Sequence, residues 1–535
     1  MSVAEWDYII VGAGSAGCVL AERLSLDPSV SVLVLEGGPA DRNPFIHMPR
    51  GIPKIMFDPR WSYGFMTEPE TGNNQTPERW ARGKTLGGSS SINGMVYNRG
   101  QPADYEAIAR LAGEEWGWQH IARAYKAIEN HELGAAETRG DSGPLRITLN
   151  PRSEWGDRMI AAGEEMGIPR KVDVNEPDNG EGIGYVPANI WKGRRQSAAV
   201  VFLRPAMKRP NVTVLTGVQA DRVIFAGTRA TGIAGRHGGT AKTWSARREV
   251  ILCAGAIASP AILMRSGIGP ADILKEAGVP VLVDSPEVGG NMKEHRILVM
   301  QYRMSDHSFS VNREYSGARL VANVLRYYLL RDGPMSTSSH TVGAWVKSKP
   351  DMDRPDVQML IAPYTYDMTG KGYLEQEPGM LVIGFLLRPE SAGRIAITSA
   401  DPDAPLKIEP HYLTNEADQS RAVGLFRSVR RLMAQPALDG MVTRELAPGG
   451  DNQSDEQIVD WFNKAGGCGL HAVSTCRMGT DAASVVDPQL RVRGVEGLRI
   501  MDTSVPPIMP SGNTNAPMMA MAWRAAELIL AGRAG

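Results

Sequence analysis

The chain begins with Asp7-Tyr-Ile-Ile-Val-Gly-Ala-Gly-Ser-Ala-Gly17, and a second apolar run, Val32-Leu-Val-Leu-Glu36, follows shortly after it. The apolar and β-branched residues 7–11 predict a buried parallel strand. The sequence then predicts a helix over about 15–26, which ends before an Asp-Pro pair, and a second strand that ends on the glutamate. This strand–turn–helix–strand unit is the stretch from which we infer the fold.

Each residue of this unit meets a requirement of dinucleotide binding. Gly12 permits the tight turn, Gly14 lets the backbone approach a pyrophosphate, and Gly17 allows close packing of helix on strand. The helix that starts at Ser15 offers free N–H groups and a positive dipole end to the phosphates. Glu36 follows about 20 residues after the last glycine, the spacing at which a carboxylate meets the ribose hydroxyls. A 2′-phosphate would be repelled there, which disfavours NADP. The alternative is a glycine-rich turn that binds no ligand. The complete strand–turn–helix–strand unit ending on a glutamate favours a bound dinucleotide instead.

The size and composition are those of a soluble globular protein. With 535 residues, the chain can form two domains, or one domain with large insertions. Its net charge of −1 provides no overall field that would attract nucleic acid or an anionic membrane. Apolar runs such as residues 381–387 are too short to span a bilayer, and the four cysteines do not suggest a disulfide framework. No signal segment precedes the first strand, so we expect a cytoplasmic protein. No cluster has metal-ligand spacing, so no metal is expected, and nothing indicates nucleic-acid binding.

A loop rich in glycine and serine, Leu86-Gly-Gly-Ser-Ser-Ser-Ile-Asn-Gly94, is the second candidate cofactor contact. Its backbone can lie flat against a ligand. The residues after it, Met95, Val96 and Tyr97, indicate that the loop is buried rather than a surface turn. A buried polar loop needs hydrogen-bond partners, and a polar cofactor would supply them.

The order of elements predicts an α/β fold in which the nucleotide-binding domain is discontinuous. A second strand–glycine–helix junction, Arg248–Gly255 followed by a helix over 260–266, is predicted to complete its sheet. From about residue 300 to 455, alternating strands predict an inserted α+β substrate-binding domain on an antiparallel sheet. The predicted limits are 1–155, 196–300 and 459–535 for the nucleotide-binding domain and 156–195 and 301–458 for the substrate-binding domain.

Two segments near the C-terminus carry candidate chemistry: Gly469-Leu-His-Ala-Val-Ser-Thr-Cys-Arg-Met-Gly479 and Pro510-Ser-Gly-Asn-Thr-Asn-Ala-Pro517. By itself, His471 could be structural or catalytic. Pro517 is predicted to be the first residue of a closing helix, which would leave the side chain of Asn515 free just outside the helix. An ordinary turn residue is the alternative for Asn515. The start of this helix could also face a cofactor ring and stabilise negative charge on it.

Together these segments resemble the glucose–methanol–choline (GMC) oxidoreductases, a family of FAD-dependent alcohol oxidases and dehydrogenases, and most of all its bacterial choline-dehydrogenase-type branch. The matching segments are Gly12–Gly17 with Glu36, Leu86–Gly94, Gly255–Gly269 and the two C-terminal segments. They occur in the family's order over residues 7–530. The resemblance implies a Rossmann-like FAD-binding domain and oxidation of an alcohol to an aldehyde or ketone, with oxygen or a quinone or dye as the electron acceptor.

The resemblance also implies roles for individual residues. His471 would take the hydroxyl proton, and Asn515 would hold the substrate oxygen. Val218 would contact the adenine side through its backbone, and Asp502 would lie near the diphosphate and ribityl groups. The residues expected at the flavin are Gly87, Gly88, Asn93, Gly94 and Val96.

Two departures from the family pattern concern the cofactor and the substrate. Some members attach FAD covalently through a histidine, but the corresponding residue here is Ile92, so non-covalent FAD is expected. The residue before the active-site histidine is often aromatic, but here it is Leu470, which should widen the pocket and puts small substrates such as choline in doubt. A pocket wall of Leu470, Tyr364, Tyr366, Phe385 and Met368 would favour an aryl or medium aliphatic alcohol.

Other functions remain open at this level. Some relatives on this scaffold are cyanohydrin lyases or light-driven decarboxylases, and a flavoprotein without catalysis is a further possibility. An NAD-dependent dehydrogenase is the alternative for the cofactor. The sequence does not indicate the oligomeric state.

Overall fold

The computed structural model describes residues 5–367 and 374–532 and contains two seven-stranded sheets. In the first sheet, Glu5–Val11 lies between Val32–Glu36 and Thr240–Leu252 and is parallel to both. Its strands, in spatial order, are Val212–Thr216, Val32–Glu36, Glu5–Val11, Thr240–Leu252, Arg229–His237 and Val218–Ala226, with Leu498–Ile500 beside Thr240–Leu252. The strands come from three separated parts of the chain. The α/β prediction with a discontinuous nucleotide-binding unit is therefore confirmed.

Two helices pack against each other beside this sheet, and both contribute residues to its apolar core. They are Ser15–Leu24, which follows the first strand directly, and the closing helix Asn515–Ala531. The closing helix starts two residues before Pro517, so the predicted start at Pro517 was wrong. Proline is tolerated throughout the first turn of a helix, because the first N–H groups have no acceptor within the helix. A proline alone therefore does not fix the first residue.

The second sheet is antiparallel in the pairs joining its central strands, as predicted. Its strands, in spatial order, are Val442–Ala447, Arg296–Met304, Gly379–Leu386, Val357–Ala362, Val342–Val346 and Gly182–Tyr185, with Gly467–Cys468 beside Arg296–Met304. The helices whose apolar residues join its core are Glu154–Glu165, Glu416–Met433 and Asp455–Ala465. Strand Arg296–Met304 belongs to this sheet over its whole length. This strand starts four residues before the predicted limit of 300, and the domain limits themselves stay predictions.

The remaining longer elements surround the two sheets. The helices are Pro102–Ala112, Trp118–Ile128, Gly255–Arg265 and Gly317–Leu330. The two-stranded pairs include Ser62–Met66 with Arg79–Gly83, Ile190–Trp191 with Arg194–Arg195, and Arg394–Ile397 with Leu406–Glu409.

Candidate active site

A cavity of about 1010 Å³ lies between the two sheets. The carboxyl ends of the parallel strands form one side of it, through Val11, Leu35 and Cys253. The second sheet contributes Leu360, Ile383 and Phe385. Ligands of open α/β sheets bind at the carboxyl ends of the strands, and the volume is at the upper end for small-molecule sites. The cavity therefore has the position and the size for a dinucleotide.

The three motif glycines have different physical reasons to be glycine. Gly12 has a φ of +104°, and a Cβ on it would lie 2.4 Å from the carbonyl oxygen of Cys253. A Cβ on Gly17 would lie 2.0 Å from the carbonyl oxygen of Gly12. A Cβ on Gly14 would meet only the oxygen of Cys253, at 3.9 Å. Gly12, Gly14 and Ser15 line the cavity, whereas Gly17 serves the packing of helix on strand.

Glu36 ends the second strand, and its carboxylate faces the same turn. It accepts hydrogen bonds from the backbone N–H groups of Ala13 (2.9 Å) and Gly38 (2.8 Å). Burial raises the pKa of Glu36 to about 7, although these two donors and Lys84 oppose the rise. Glu36 lines the cavity, and its contact with a ribose stays a prediction.

The glycine- and serine-rich loop is largely buried and lies directly against the dinucleotide turn. Gly88 has a φ of +52°, and a Cβ on it would lie 2.8 Å from the Cα of Gly14. Of the predicted residues in or beside this loop, Gly88, Asn93, Gly94 and Val96 line the cavity. Gly87 does not line it and instead donates its N–H to the carbonyl oxygen of Ala13 (2.7 Å).

Val218 and Asp502 also line the cavity. The carboxylate of Asp502 accepts hydrogen bonds from the backbone N–H of Gly255 (2.8 Å) and the hydroxyl of Ser259 (2.6 Å). Asp502 therefore binds the first turn of helix Gly255–Arg265 to the end of strand Leu498–Ile500.

The side chain of His471 is held through both of its ring nitrogens. Nδ1 lies 2.9 Å from Nδ1 of His295, and Nε2 lies 3.1 Å from the amide nitrogen of Asn513. The backbone N–H of His471 donates to both carboxylate oxygens of Glu294, at 2.8 and 3.0 Å. Leu470, just before it, has a φ of +62°, so this turn brings the histidine to the cavity in a conformation that few non-glycine residues adopt.

This network assigns the proton on each ring. Nε2 of His295 lies 3.2 Å from the carbonyl oxygen of Leu387, which can only accept, so Nε2 carries a hydrogen. Burial lowers the pKa of His295 to about 4, so the ring is neutral and its Nδ1 is an acceptor. Nδ1 of His471 must then be the donor. Nε2 of His471 is then an acceptor at the cavity, and in this structure its lone pair faces the amide nitrogen of Asn513 (3.1 Å).

Burial also lowers the pKa of His471 well below its usual range, and His295 and Arg82 lower it further. The ring is therefore neutral at physiological pH. A neutral imidazole with its lone pair at a cavity is equipped to accept a proton from a ligand.

Comparison with known proteins agrees with this geometry. Residues 6–297 and 389–522 match the N- and C-terminal models of the GMC oxidoreductases. The chain belongs to the GMC oxidoreductase family. It is 38% identical to "Alcohol dehydrogenase [acceptor]" of Pseudomonas putida, over 98% of this chain and 96% of that protein. It is 36% identical to "Oxygen-dependent choline dehydrogenase" of Burkholderia mallei, over 99% and 94%. The crystal structure of pyridoxine 4-oxidase from Mesorbium loti covers 98% of this chain and 99% of its own, with 30% identity and a TM-score of 0.87.

Within this GMC fold, the carboxamide that contacts His471 is Asn513, and the predicted partner Asn515 has a different contact. Asn515 is the first residue of the closing helix, and its Oδ1 accepts a hydrogen bond from the hydroxyl of Ser15 (2.8 Å). Both asparagines line the cavity. Asn515 was predicted from the family resemblance and from a helix start at Pro517. The helix begins at Asn515 itself, Thr514 is its N-cap, and Asn513 lies one residue before the cap.

The predicted apolar wall is only partly present. Leu470 and Phe385 line the cavity, and the Phe385 ring stacks on His295 with 4.4 Å between ring centres. Tyr364 and Tyr366 do not line it: Tyr364 is buried and donates its hydroxyl to the carbonyl oxygen of Ser339 (3.1 Å), and Tyr366 is 40% exposed. Met368 lies outside the described residues.

The sequence interpretation missed His295, Asn513 and His340. His340 lines the cavity, and burial together with the nearby Arg50 lowers its pKa to about 3. Its Nε2 and the Oδ1 of Asn513 are buried without a hydrogen-bond partner among the described residues. Such atoms are expected where a polar ligand supplies the missing partner, so the cavity fits a flavin dinucleotide and its substrate in polarity as well as in size.

Within 5–367 and 374–532, no group of three or more His, Cys, Asp or Glu side chains is placed to bind a metal ion. In the same part of the chain, no helix combines the length and the apolar character needed to cross a bilayer.

Replacing Gly14 and Gly17 by alanine should separate cofactor binding from folding. Gly17→Ala must displace the backbone of Gly12, and we expect it to lower the free energy of unfolding of the cofactor-free protein by about 1–3 kcal/mol. Gly14→Ala fits the free protein but occupies the ligand side, so its thermal unfolding should match the native protein while FAD affinity falls. Equal unfolding temperatures for the two cofactor-free variants would contradict this assignment.

Proposed function

We propose that this protein oxidises an alcohol to the aldehyde or ketone, with His471 as the base that takes the hydroxyl proton. The cofactor is FAD, which when bound supplies the hydride acceptor. The observation that carries the proposal is the neutral His471 ring, whose unprotonated Nε2 lies beside the Asn513 amide at the wall of a dinucleotide-sized cavity. A carbon–oxygen pair loses hydride more readily once its hydroxyl proton has been removed.

Asn513 is proposed to hold the substrate oxygen next to His471. In this structure an N–H of its amide occupies the lone pair of His471 Nε2. A substrate hydroxyl that gives its proton to Nε2 would replace this contact, and the amide N–H groups would then donate to the substrate oxygen. An amide donor at that point stabilises the charge that develops on the oxygen as the proton leaves. Asn515, bound to Ser15, is proposed to position the dinucleotide turn rather than the substrate.

We propose that residues lining the cavity hold FAD without a covalent bond between FAD and the protein. Ile92 lines the cavity and has no nucleophile with which to form a covalent link. The residues proposed to contact FAD are Gly12, Gly14, Ser15, Glu36, Gly88, Asn93, Gly94, Val96, Val218 and Asp502. Gly17 and Gly87 are proposed to support the FAD-contacting residues by packing, without contacting FAD themselves.

The substrate class is proposed to be an aryl or medium aliphatic alcohol. The wall near His471 is apolar through Leu470, Phe385 and Ile383. Glu294, the carboxylate beside His471, is already bound by backbone N–H groups and Arg82, so it is not free to pair with a quaternary ammonium. The named activity of one solved relative, pyridoxine 4-oxidase, is compatible with an aromatic alcohol here.

The electron acceptor is oxygen, a quinone or a dye, and the cytoplasmic location stays a prediction from the sequence. A panel of aryl, aliphatic and amino alcohols, assayed in parallel for peroxide production and dye reduction, tests substrate and acceptor together. A visible absorbance band of the purified protein distinguishes FAD from NAD. Anaerobic loss of that band with an alcohol distinguishes oxidation from a lyase or decarboxylase reaction, and an unchanged band with every alcohol would contradict the proposal.

Alanine variants of the two asparagines should have different effects. Asn513→Ala removes a donor at the substrate oxygen, so kcat/KM should fall by roughly 10²–10³-fold while FAD affinity is kept. Asn515→Ala removes the bond to Ser15, so FAD affinity should fall while kcat of the FAD-saturated enzyme stays within a few-fold. FAD titration and steady-state kinetics measure both quantities, and the reverse result would restore Asn515 as the partner of His471.

The pH dependence of the native enzyme should be flat around neutrality. The folded pKa of His471 lies well below 6.5, so the base is already neutral at pH 6.5 and becomes protonated only at lower pH. We therefore expect kcat/KM to be constant from about pH 7 to 8 and to fall only on acidification through the lowered pKa. A rise of kcat/KM with an apparent pKa at or above 6.5 would show that the base is not held neutral in this way.

His295 is proposed as a positioning residue that selects the tautomer of His471. His295→Leu removes the acceptor for Nδ1–H, so the ring can also adopt the tautomer that blocks Nε2, and kcat should fall by roughly 10–100-fold. His295→Gln keeps an acceptor and should restore part of the loss. KM and FAD absorbance should change little, and equal kcat for the Leu and Gln variants would leave His295 only a packing role.

A further inference from the structure

The surface helix Gly317–Leu330 has an apolar face that no described residue covers. Val321, Leu325, Tyr328 and Leu329 follow the i, i+4, i+7, i+8 spacing of one helix face, and we call these four residues the apolar face. Their exposed fractions are 60%, 57%, 43% and 80%. A contiguous exposed patch of this kind on a soluble protein marks a binding surface.

The opposite side of the same helix is firmly packed. Tyr327 is buried in a cluster with Met48 and Met335. The buried amide of Asn323 donates to the carboxylate of Glu314 (2.8 Å). The helix is therefore fixed to the body of the protein by one side, and it presents leucine, valine and tyrosine where an ordinary surface helix carries charge.

Basic side chains border the apolar face. The helix and its flanks carry Arg313, Arg319, Arg326 and Arg331. The neighbouring hairpin Ile190–Arg195 adds Lys192 and Arg194, and its tip lies against the helix, since a Cβ on Gly193 would be 2.1 Å from the carbonyl oxygen of Arg331. The acidic side chains in the same segments are Glu314 and Asp332, and each forms an ion pair with an arginine (Arg319 and Arg326, both at 2.6 Å).

An exposed tryptophan accompanies these cations. Trp191, in the same hairpin, is 39% exposed. The amine of Lys192 lies 5.7 Å from its ring centre, and the guanidinium carbon of Arg146 lies 4.8 Å from it. Apolar residues and tryptophan beside lysine and arginine are the composition of elements that lie in a membrane interface.

We propose that the apolar face rests on the surface of an anionic lipid bilayer, with the helix parallel to the membrane plane. The leucines and valine would enter the acyl boundary, and the bordering arginines and lysine would meet lipid phosphates. A second copy of this chain is a poorer occupant, because a two-fold contact would place the same basic border against itself. The proposal does not depend on the reaction that the protein catalyses.

The segment that follows the helix reaches the cavity. The helix packs on Met335, and the same segment continues to Ser339 and His340, which line the cavity.

Vesicle binding of the FAD-loaded protein tests the proposal. Native protein should co-sediment with phosphatidylcholine vesicles that contain phosphatidylglycerol, and its affinity should fall roughly tenfold or more with phosphatidylcholine alone or at high salt. Leu325→Glu/Leu329→Glu should lower affinity for the anionic vesicles by a similar factor or more. The matched control is Leu26→Glu/Val172→Glu, at positions that are 48% and 66% exposed elsewhere on the surface, and it should bind like the native protein.

Three results would overturn the proposal. Native protein could fail to bind anionic vesicles at low salt, or the Leu325/Leu329 variant could bind them as well as the native protein and the control do. Light scattering without lipid could instead show a native dimer that the Leu325/Leu329 variant converts to monomer, which would make the apolar face an interface between copies. FAD absorbance, thermal unfolding and activity with a soluble dye should be the same in all variants, which excludes misfolding as the cause.

Discussion

The active site depends on one buried carboxylate, Glu294, in the segment where the chain passes from the first sheet to the second. Burial raises the pKa of Glu294, and Arg82 and the backbone N–H of His471 counter that rise. The carboxylate thereby joins three parts of the molecule: Arg82 before the glycine- and serine-rich loop, the His471 turn, and the strand that begins at Arg296. An unpaired carboxylate in this position would be costly, so its partners are held together strongly.

This arrangement explains how two sheets of different architecture produce one site. The first sheet provides, at the carboxyl ends of its parallel strands, the turn and the helix start that suit a diphosphate. The antiparallel sheet provides Phe385 and the Leu387 carbonyl, which fix His295 and through it the ring of His471. Neither sheet alone contains both the cofactor cradle and the oriented base.

Features determined by local chemistry could be predicted from the sequence. The dinucleotide unit was predicted correctly because the demands on Gly12, Gly14 and Gly17 arise within one strand–turn–helix, and the long-range motifs identified the family. Features determined by long-range packing could not be predicted. His295 and His471 are 176 residues apart, and no local pattern links them. Tyr364 and Tyr366 have the composition of a pocket wall, but neither lines the cavity, and Tyr364 lies behind Ser339, which does. The contact between His471 and Asn513 could not be predicted either, because it depends on the path of the loop before the closing helix, and the role of Asn515 stays a prediction.

The hydrogen-bond chain behind His471 ends at the main-chain oxygen of Leu387 rather than at an ionisable acid. His295 already donates its Nε2 hydrogen to that oxygen. A second proton, on its Nδ1, would therefore create a cation buried in an apolar interior. A proton on His471 therefore cannot pass through His295 into the protein interior. A hydrogen gained by His471 can depart only on the cavity side, with the outgoing product, the electron acceptor or entering solvent. The base is therefore regenerated from the same side on which the substrate binds.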